Sequence, residues 1–146
     1  MGTFLVVLSA VCWILGLTQT SFLIQHELPE LYARGPGLLI IGWLGLRYGI
    51  VAWLANPVYF YALTCALNKQ TRRGLIAAVI ALLLGLSFLF LRQVPISFKP
   101  QWVDITAYGW GLRWWLLSLA LLCVAFLYQA FCEWRTAPTV QILDEE

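Results

Sequence analysis

The chain has 146 residues, of which 62% are hydrophobic and 11% are charged, and its formal net charge is +2. Mean hydropathy is +0.82, and a soluble domain of this size has no way to bury so much apolar surface. The composition therefore indicates an integral membrane protein with a single membrane domain. The small, scattered positive charge argues against nucleic acid as a partner.

The first apolar run, Thr3 to Leu17, predicts a membrane-spanning helix near the amino terminus. Within it, Phe4 to Leu17 also has the length of a signal-peptide core. We favour an uncleaved helix, because no Lys or Arg precedes the run and no convincing small-x-small cleavage site follows it.

A polar segment from Thr18 to Gly37 follows, with a short helix start at Leu28-Pro29-Glu30. His26 and Glu30 in this segment have the i, i+4 spacing of two ligands on one helix face. Pro29 lies between them and disfavours a continuous helix. We therefore predict neither a metal site nor a cofactor site.

The second apolar stretch, Leu38 to Leu67, is too long for one perpendicular span and too short for two. Arg47 lies about 30 Å from Asn68 along a helix, so we expect it at the opposite membrane interface. The predicted span is then Tyr48 to Leu67. Leu38 to Leu46 either bends onto the interface or lies between the other helices.

Asn56-Pro57 is the most unusual local feature of this span, and we expect it near the bilayer midplane. Pro57 lacks an N–H group, so the pattern predicts a kinked or broken helix. The Asn56 amide needs partners inside the protein. A structural kink with an interhelical hydrogen bond is the favoured interpretation, and a binding site at a broken helix is the alternative.

The third span is predicted at Gly74 to Leu91, and small residues recur on one face of it. Such a face lets another helix backbone approach closely, either within the chain or from a partner. The residues that form it are Ala77, Ala81 and Gly85.

The fourth span is predicted at Leu112 to Phe131, after a polar, Pro-containing segment from Arg92 to Gly111 without helical periodicity. Aromatic side chains cluster where this span begins. We interpret four residues as interfacial anchors. They are Arg47, Trp110, Trp114 and Trp115.

The predicted fold is all-α, a bundle of four transmembrane helices with a broken or kinked second helix. The membrane domain covers residues 1–135, with spans at about 3–17, 48–67, 74–91 and 112–131, and a short acidic tail covers 136–146. The basic loop Asn68 to Arg73 predicts that this side, and therefore both termini, face the cytoplasm.

Three motifs carry a family resemblance: Gly42-Trp43-Leu44-Gly45, then Ala52-Trp53-Leu54-Ala55-Asn56-Pro57, then Tyr108-Gly109-x-Gly-x-x-Trp. With these motifs the chain resembles uncharacterised small multi-pass bacterial inner-membrane proteins. The resemblance implies a bacterial inner membrane and brings no activity with it.

No Asp, Glu, Lys, Arg or His lies in the interior of the predicted spans, which argues against a secondary transporter or a membrane protease. We predict a non-enzymatic protein that contacts the bilayer and another membrane protein, or itself, as an accessory, assembly or immunity-type factor. The alternative is a small channel or carrier that functions as a homo-oligomer, with Asn56 lining the path. An enzyme would need His26, Glu27, Glu30 and Asp104 to converge.

Overall fold

The computed structural model describes residues 1–24, 34–95 and 102–136, and this part of the chain is mostly helical. Five α-helices follow in chain order: α1 (Gly2–Thr18), α2 (Gly35–Ile41), α3 (Ala55–Leu67), α4 (Thr71–Ser87) and α5 (Trp110–Thr136). Short 3-10 helices cover Gly42–Tyr48, Val51–Leu54 and Phe88–Phe90. The strands are β1 (Phe22–Ile24), β2 (Gln93–Pro95) and β3 (Trp102–Tyr108).

Two helical stretches, Thr71–Phe90 and Trp110–Thr136, are long and apolar enough to cross a membrane. Two shorter apolar helices, Gly2–Thr18 and Val51–Leu67, accompany them. Each of the four spans predicted from the sequence falls on one of these helices. Of the predicted acidic tail at 136–146, Thr136 is the last residue of α5 and the rest lies outside the described residues.

The helices form one bundle in which α1 packs along α5, and α4 packs against both α3 and α5. Helices α1 and α5 are antiparallel and close at both ends. A Cβ atom added to Gly2 would lie 2.9 Å from the side chain of Gln129. One added to Gly16 would lie 3.1 Å from the carbonyl oxygen of Gly111. Glycine at these two positions therefore lets the two helices approach each other.

Small side chains fill much of the bundle interior, and large apolar side chains point outward. Alanines 55, 62, 77, 78 and 81 are buried in one cluster with Tyr59 and Phe126. On the outer face of α4, Ile76 and Leu83 are 62% and 63% exposed. Leu119 and Leu122 are buried in the same cluster, but an outer face with such exposed large apolar side chains is unusual for a soluble protein.

The second apolar stretch breaks at Gly49 and Ile50, which corrects the predicted kink at Pro57. Gly49 has φ +78, a left-handed conformation that glycine adopts without strain. Ile50 is extended, and a 3-10 turn then leads into α3 at Ala55. Pro57 lies in the first turn of α3, where a missing N–H group costs little.

A small antiparallel sheet, which the sequence did not predict, closes one end of this mostly helical bundle. The strand order is β1-β3-β2, with Phe22 opposite Tyr108 and Val94 opposite Val103. The segment Arg92 to Gly111, which shows no helical periodicity, contains two of the strands. In β3 the residues from Trp102 to Thr106 alternate between exposed and half-buried side chains, a period-2 pattern typical of a strand.

Candidate functional site

Asn56 joins three helices through one side-chain oxygen. The indole nitrogen of Trp115 on α5 donates to Asn56 Oδ1 at 3.0 Å, and the indole nitrogen of Trp13 on α1 donates to the same oxygen at 3.4 Å. The interhelical hydrogen bond expected of Asn56 is therefore present twice. Asn56 lies five residues after the start of the helix Val51–Leu67.

These two contacts fix the orientation of the Asn56 amide. An indole N–H group donates and never accepts, so the amide oxygen faces Trp13 and Trp115 and the NH2 group points elsewhere. No hydrogen bond from this NH2 group to any described residue is present. Among the described residues no buried side-chain nitrogen or oxygen lacks a partner. The Asn56 nitrogen is therefore open to the space beside it.

That space is a cavity of about 340 Å³ between the sheet end of the bundle and the segment 35–53. Its lining is mainly apolar and includes Phe22, Phe88 and Leu112. Asn56 and Ser21 are the polar lining residues with donor groups that have no partner among the described residues. A mainly apolar cavity with a few convergent polar groups is the usual form of a small-molecule site.

The segment 35–53 forms one wall of the cavity by folding back on itself. The Trp53 indole nitrogen donates to the Leu39 carbonyl oxygen at 3.0 Å, which joins the beginning of this segment to its end. A Cβ atom on Gly42 would lie 2.5 Å from Trp53 Cδ1, so glycine is required there. The stretch Leu38 to Leu46, for which the sequence left two positions open, is thus helical and packs against the start of the helix Val51–Leu67.

A second polar cluster lies deeper in the bundle and joins the same three helices. Ser9 Oγ donates to the Ser118 carbonyl oxygen at 2.7 Å and lies 2.9 Å from the Tyr59 hydroxyl. Because the single Ser9 proton goes to that carbonyl, Tyr59 must be the donor to Ser9. All these groups are buried and paired, so the cluster fixes how α1, α3 and α5 pack.

The small-residue face predicted on the third span is used inside the chain. Ala77, Ala81 and Gly85 are all buried. A Cβ atom on Gly85 would lie 2.5 Å from Leu119 Cδ1 of α5. These residues bring α4 close to its neighbours in the bundle and are not accessible to a foreign helix.

The predicted interfacial anchors separate into two groups. Trp110 is exposed, with the Arg113 guanidinium 4.8 Å from its ring centroid, and Arg47 is also exposed. Trp114 is half-buried. Trp115 instead turns inward, lines the cavity and donates to Asn56. Its position is therefore not that of the interfacial anchor that we predicted.

The titratable residues considered for metal binding or catalysis do not form a site. His26, Glu27 and Glu30 lie outside the described residues. Asp104 is exposed on β3, where it accepts a hydrogen bond from Gln93 at 2.9 Å. Within residues 1–24, 34–95 and 102–136, no group of three His, Cys, Asp or Glu side chains is arranged to hold a metal ion.

Trp13 and Ser21 belong to the site but were not predicted from the sequence. Trp13 lies in an apolar helix, where its indole nitrogen needs a hydrogen-bond acceptor. This need could have indicated from the sequence that Trp13 contacts a polar side chain. Ser21 follows α1 directly and carries no motif.

Comparison with known proteins assigns no family. The chain matches no family model, and neither a curated protein nor a solved structure is significantly similar to it.

Proposed function

We propose that this chain is an integral membrane protein with four membrane-crossing segments: α1, the helix Val51–Leu67, the helix Thr71–Phe90, and α5. The outward-facing large apolar residues of α4 and the small interior residues support this proposal, because lipid solvates such outer faces. The family resemblance of the sequence supports a bacterial inner membrane.

The orientation we propose places the loop between α3 and α4 in the cytoplasm. Lys69, Arg72 and Arg73 are exposed at this end of the bundle, and short basic loops favour the cytoplasmic side. Both termini of the membrane domain then face the cytoplasm, and the sheet faces outward.

We propose further that the protein works by binding a small, mainly apolar molecule in the cavity beside Asn56, without converting it chemically. The observation that carries this proposal is the open NH2 group of Asn56 in an otherwise apolar cavity. This NH2 group is accessible from the cavity and has no partner among the described residues, so it can donate to a bound molecule. Binding of a molecule from the membrane would provide the acceptor.

This proposal develops the carrier function considered from the sequence. Residues of a single chain line the cavity, so the proposed binding step is assigned to one chain. A carrier would bind its ligand in the cavity and then move it across the membrane. A binding protein would bind the ligand there without moving it.

Contact with another membrane protein is the second candidate function. Because the small residues of α4 are buried, a partner would have to pack on the large outward residues, of which Ile76, Ile80 and Leu83 form one exposed stripe. Crosslinking in intact cells from position Ile80 would then recover a defined membrane protein. Recovery of lipid and free chain alone would contradict this candidate.

Native mass spectrometry of the full chain extracted from its membrane tests the binding function. We expect a bound species of constant mass on the wild-type chain. Leu44→Trp places a larger side chain in the cavity wall and should remove most of this species.

Leu46→Trp is the matched control, because Leu46 lies in the same 3-10 helix, is exposed, and does not line the cavity. It should keep the bound species at the wild-type level. A wild-type chain without a bound species, or equal retention by both variants, would contradict the binding function.

A further inference from the structure

We infer that the cavity beside Asn56 takes a neutral molecule in which a carbonyl group is attached to an apolar body. This inference rests on the proposed binding function and adds the chemistry of the ligand. It follows from the charge, the hydrogen-bonding groups and the size of the cavity.

The ligand is neutral because the cavity offers no compensation for an ion. Among the described residues that line it, there is no Asp, Glu, Lys, Arg or His. Burying an unpaired charge in an apolar site is strongly unfavourable. A phosphate headgroup, a free carboxylate or an ammonium group is therefore a poor fit.

The polar group of the ligand is an acceptor because the open NH2 group of Asn56 is a donor and the Ser21 hydroxyl can also donate. The two indoles occupy the Asn56 oxygen and leave its NH2 group, which can only donate. The Ser21 hydroxyl also lines the cavity. The indole N–H groups of Trp53 and Trp115 are already bonded, to Leu39 and Asn56. A carbonyl oxygen is the neutral acceptor that matches these donors.

The volume of about 340 Å³ lies near the lower end of the range for ligand pockets, roughly 300–1,000 Å³. It holds one ring or one short chain with its carbonyl group, and not a complete two-chain lipid. Two membrane sources have this chemistry: the ring of a quinone and the ester group of an acyl chain. The experiment distinguishes them.

The test measures the affinity of the purified full chain in detergent for three probes, from the rise of the unfolding temperature with probe concentration. Decylubiquinone carries ring carbonyls, methyl laurate carries an ester, and decylbenzene has an apolar body without an acceptor. We expect at least one carbonyl probe to bind the wild-type chain about fivefold more tightly than decylbenzene, the effect of one hydrogen bond.

Asn56→Leu should abolish this preference while decylbenzene still binds. Each probe also partitions into micelles, but this partitioning is the same for the variant and the wild type, so comparing the two removes its effect. Preference for decylubiquinone alone identifies a quinone-like ring, and preference for methyl laurate alone identifies an acyl ester. Either result supports the inference. Equal binding of all three probes would overturn it and leave the binding function standing. Binding of none would overturn the binding function itself.

A second measurement on the wild-type chain does not require the variant to fold. The infrared carbonyl band of the bound carbonyl probe should lie at lower wavenumber than in decane, because a hydrogen bond weakens the C=O bond. Leu44→Trp should restore the position seen in the micelle alone. An unshifted band in a bound complex would overturn the inference.

Discussion

The indole nitrogen of Trp115 lies 3.0 Å from Oδ1 of Asn56 and holds the start of α3 against α5. The two residues are 59 positions apart in the chain, so the contact forms only when the bundle assembles. It also sets the direction of the Asn56 amide, which leaves the NH2 group open to the cavity. One hydrogen bond thus serves both the packing of the helices and the chemistry of the site.

Asn56→Leu and Pro57→Ala should differ sharply in their effect on stability. Asn56→Leu leaves two indole N–H groups without an acceptor and should lower the free energy of unfolding by about 1–3 kcal/mol. Pro57→Ala changes an exposed residue in the first helical turn and should stay within about 0.5 kcal/mol of wild type. Unfolding in mixed detergent micelles by SDS titration measures both. A larger loss from Pro57→Ala would return the structural kink to that residue.

Gly42→Ala tests the wall of the cavity. The added methyl group would lie 2.5 Å from Trp53 Cδ1, so the Trp53 indole must move and its bond to Leu39 weakens. We expect a loss of about 1–3 kcal/mol in the free energy of unfolding.

Gly45→Ala is the milder variant for comparison. Its methyl group would lie 3.2 Å from Ile50 Cβ, so Ile50 needs to shift only slightly. Its effect should be clearly smaller than that of Gly42→Ala. The reverse order would contradict the described fold of the segment 35–53.

The Ser9 cluster gives a prediction from proton counting. Tyr59→Phe removes one donor and should cost about 0.6 kcal/mol, a typical interhelical hydrogen bond in a membrane. Ser9→Ala costs more, about 1–3 kcal/mol, because it strands the fully buried Tyr59 hydroxyl. In the double variant the two losses should not add. Additive losses would show that Ser9 and Tyr59 are not paired.

The sequence predicted the helices well and the sheet not at all. Long apolar runs such as Trp110–Thr136 mark helices by composition alone, so their positions follow from local information. Strands β1 and β2 have three residues each, too few for a period-2 pattern to stand out. They exist because they pair with β3, and β1 is about 80 residues from it in the chain.

The sequence also singled out Asn56 correctly but not its surroundings. A side-chain amide in an apolar helix needs hydrogen-bond partners, and this need can be predicted from the local sequence alone. Which partners it finds depends on how α1 and α5 rotate, so the roles of Trp13 and Trp115 were out of reach. Tryptophan near a helix end is usually interfacial, and Trp115 departs from this rule because its indole meets Asn56 inside the bundle.

The proposed topology predicts which ends of the bundle a membrane-impermeant thiol reagent reaches. In a chain whose four native cysteines are replaced by serine or alanine, Asp104→Cys at the sheet should react in intact cells. Thr136→Cys at the opposite end should react only after permeabilisation. Both residues are exposed on the protein surface. A difference in their reactivity would therefore report the side of the membrane on which each lies. Reaction of Thr136→Cys alone would reverse the orientation, and reaction of both would show that α5 does not cross the membrane.

The measurement that bears most directly on the binding cavity is a structure of the full chain with a probe carrying a heavy atom. Crystals grown with 1-bromo-4-decylbenzene would reveal the bromine by its anomalous scattering. We expect one bromine peak inside the cavity bounded by Asn56, Trp53 and Leu44, and no such peak in Leu44→Trp. If a well-ordered wild-type chain shows bromine on its outer helix faces and none in the cavity, the cavity is not a binding site.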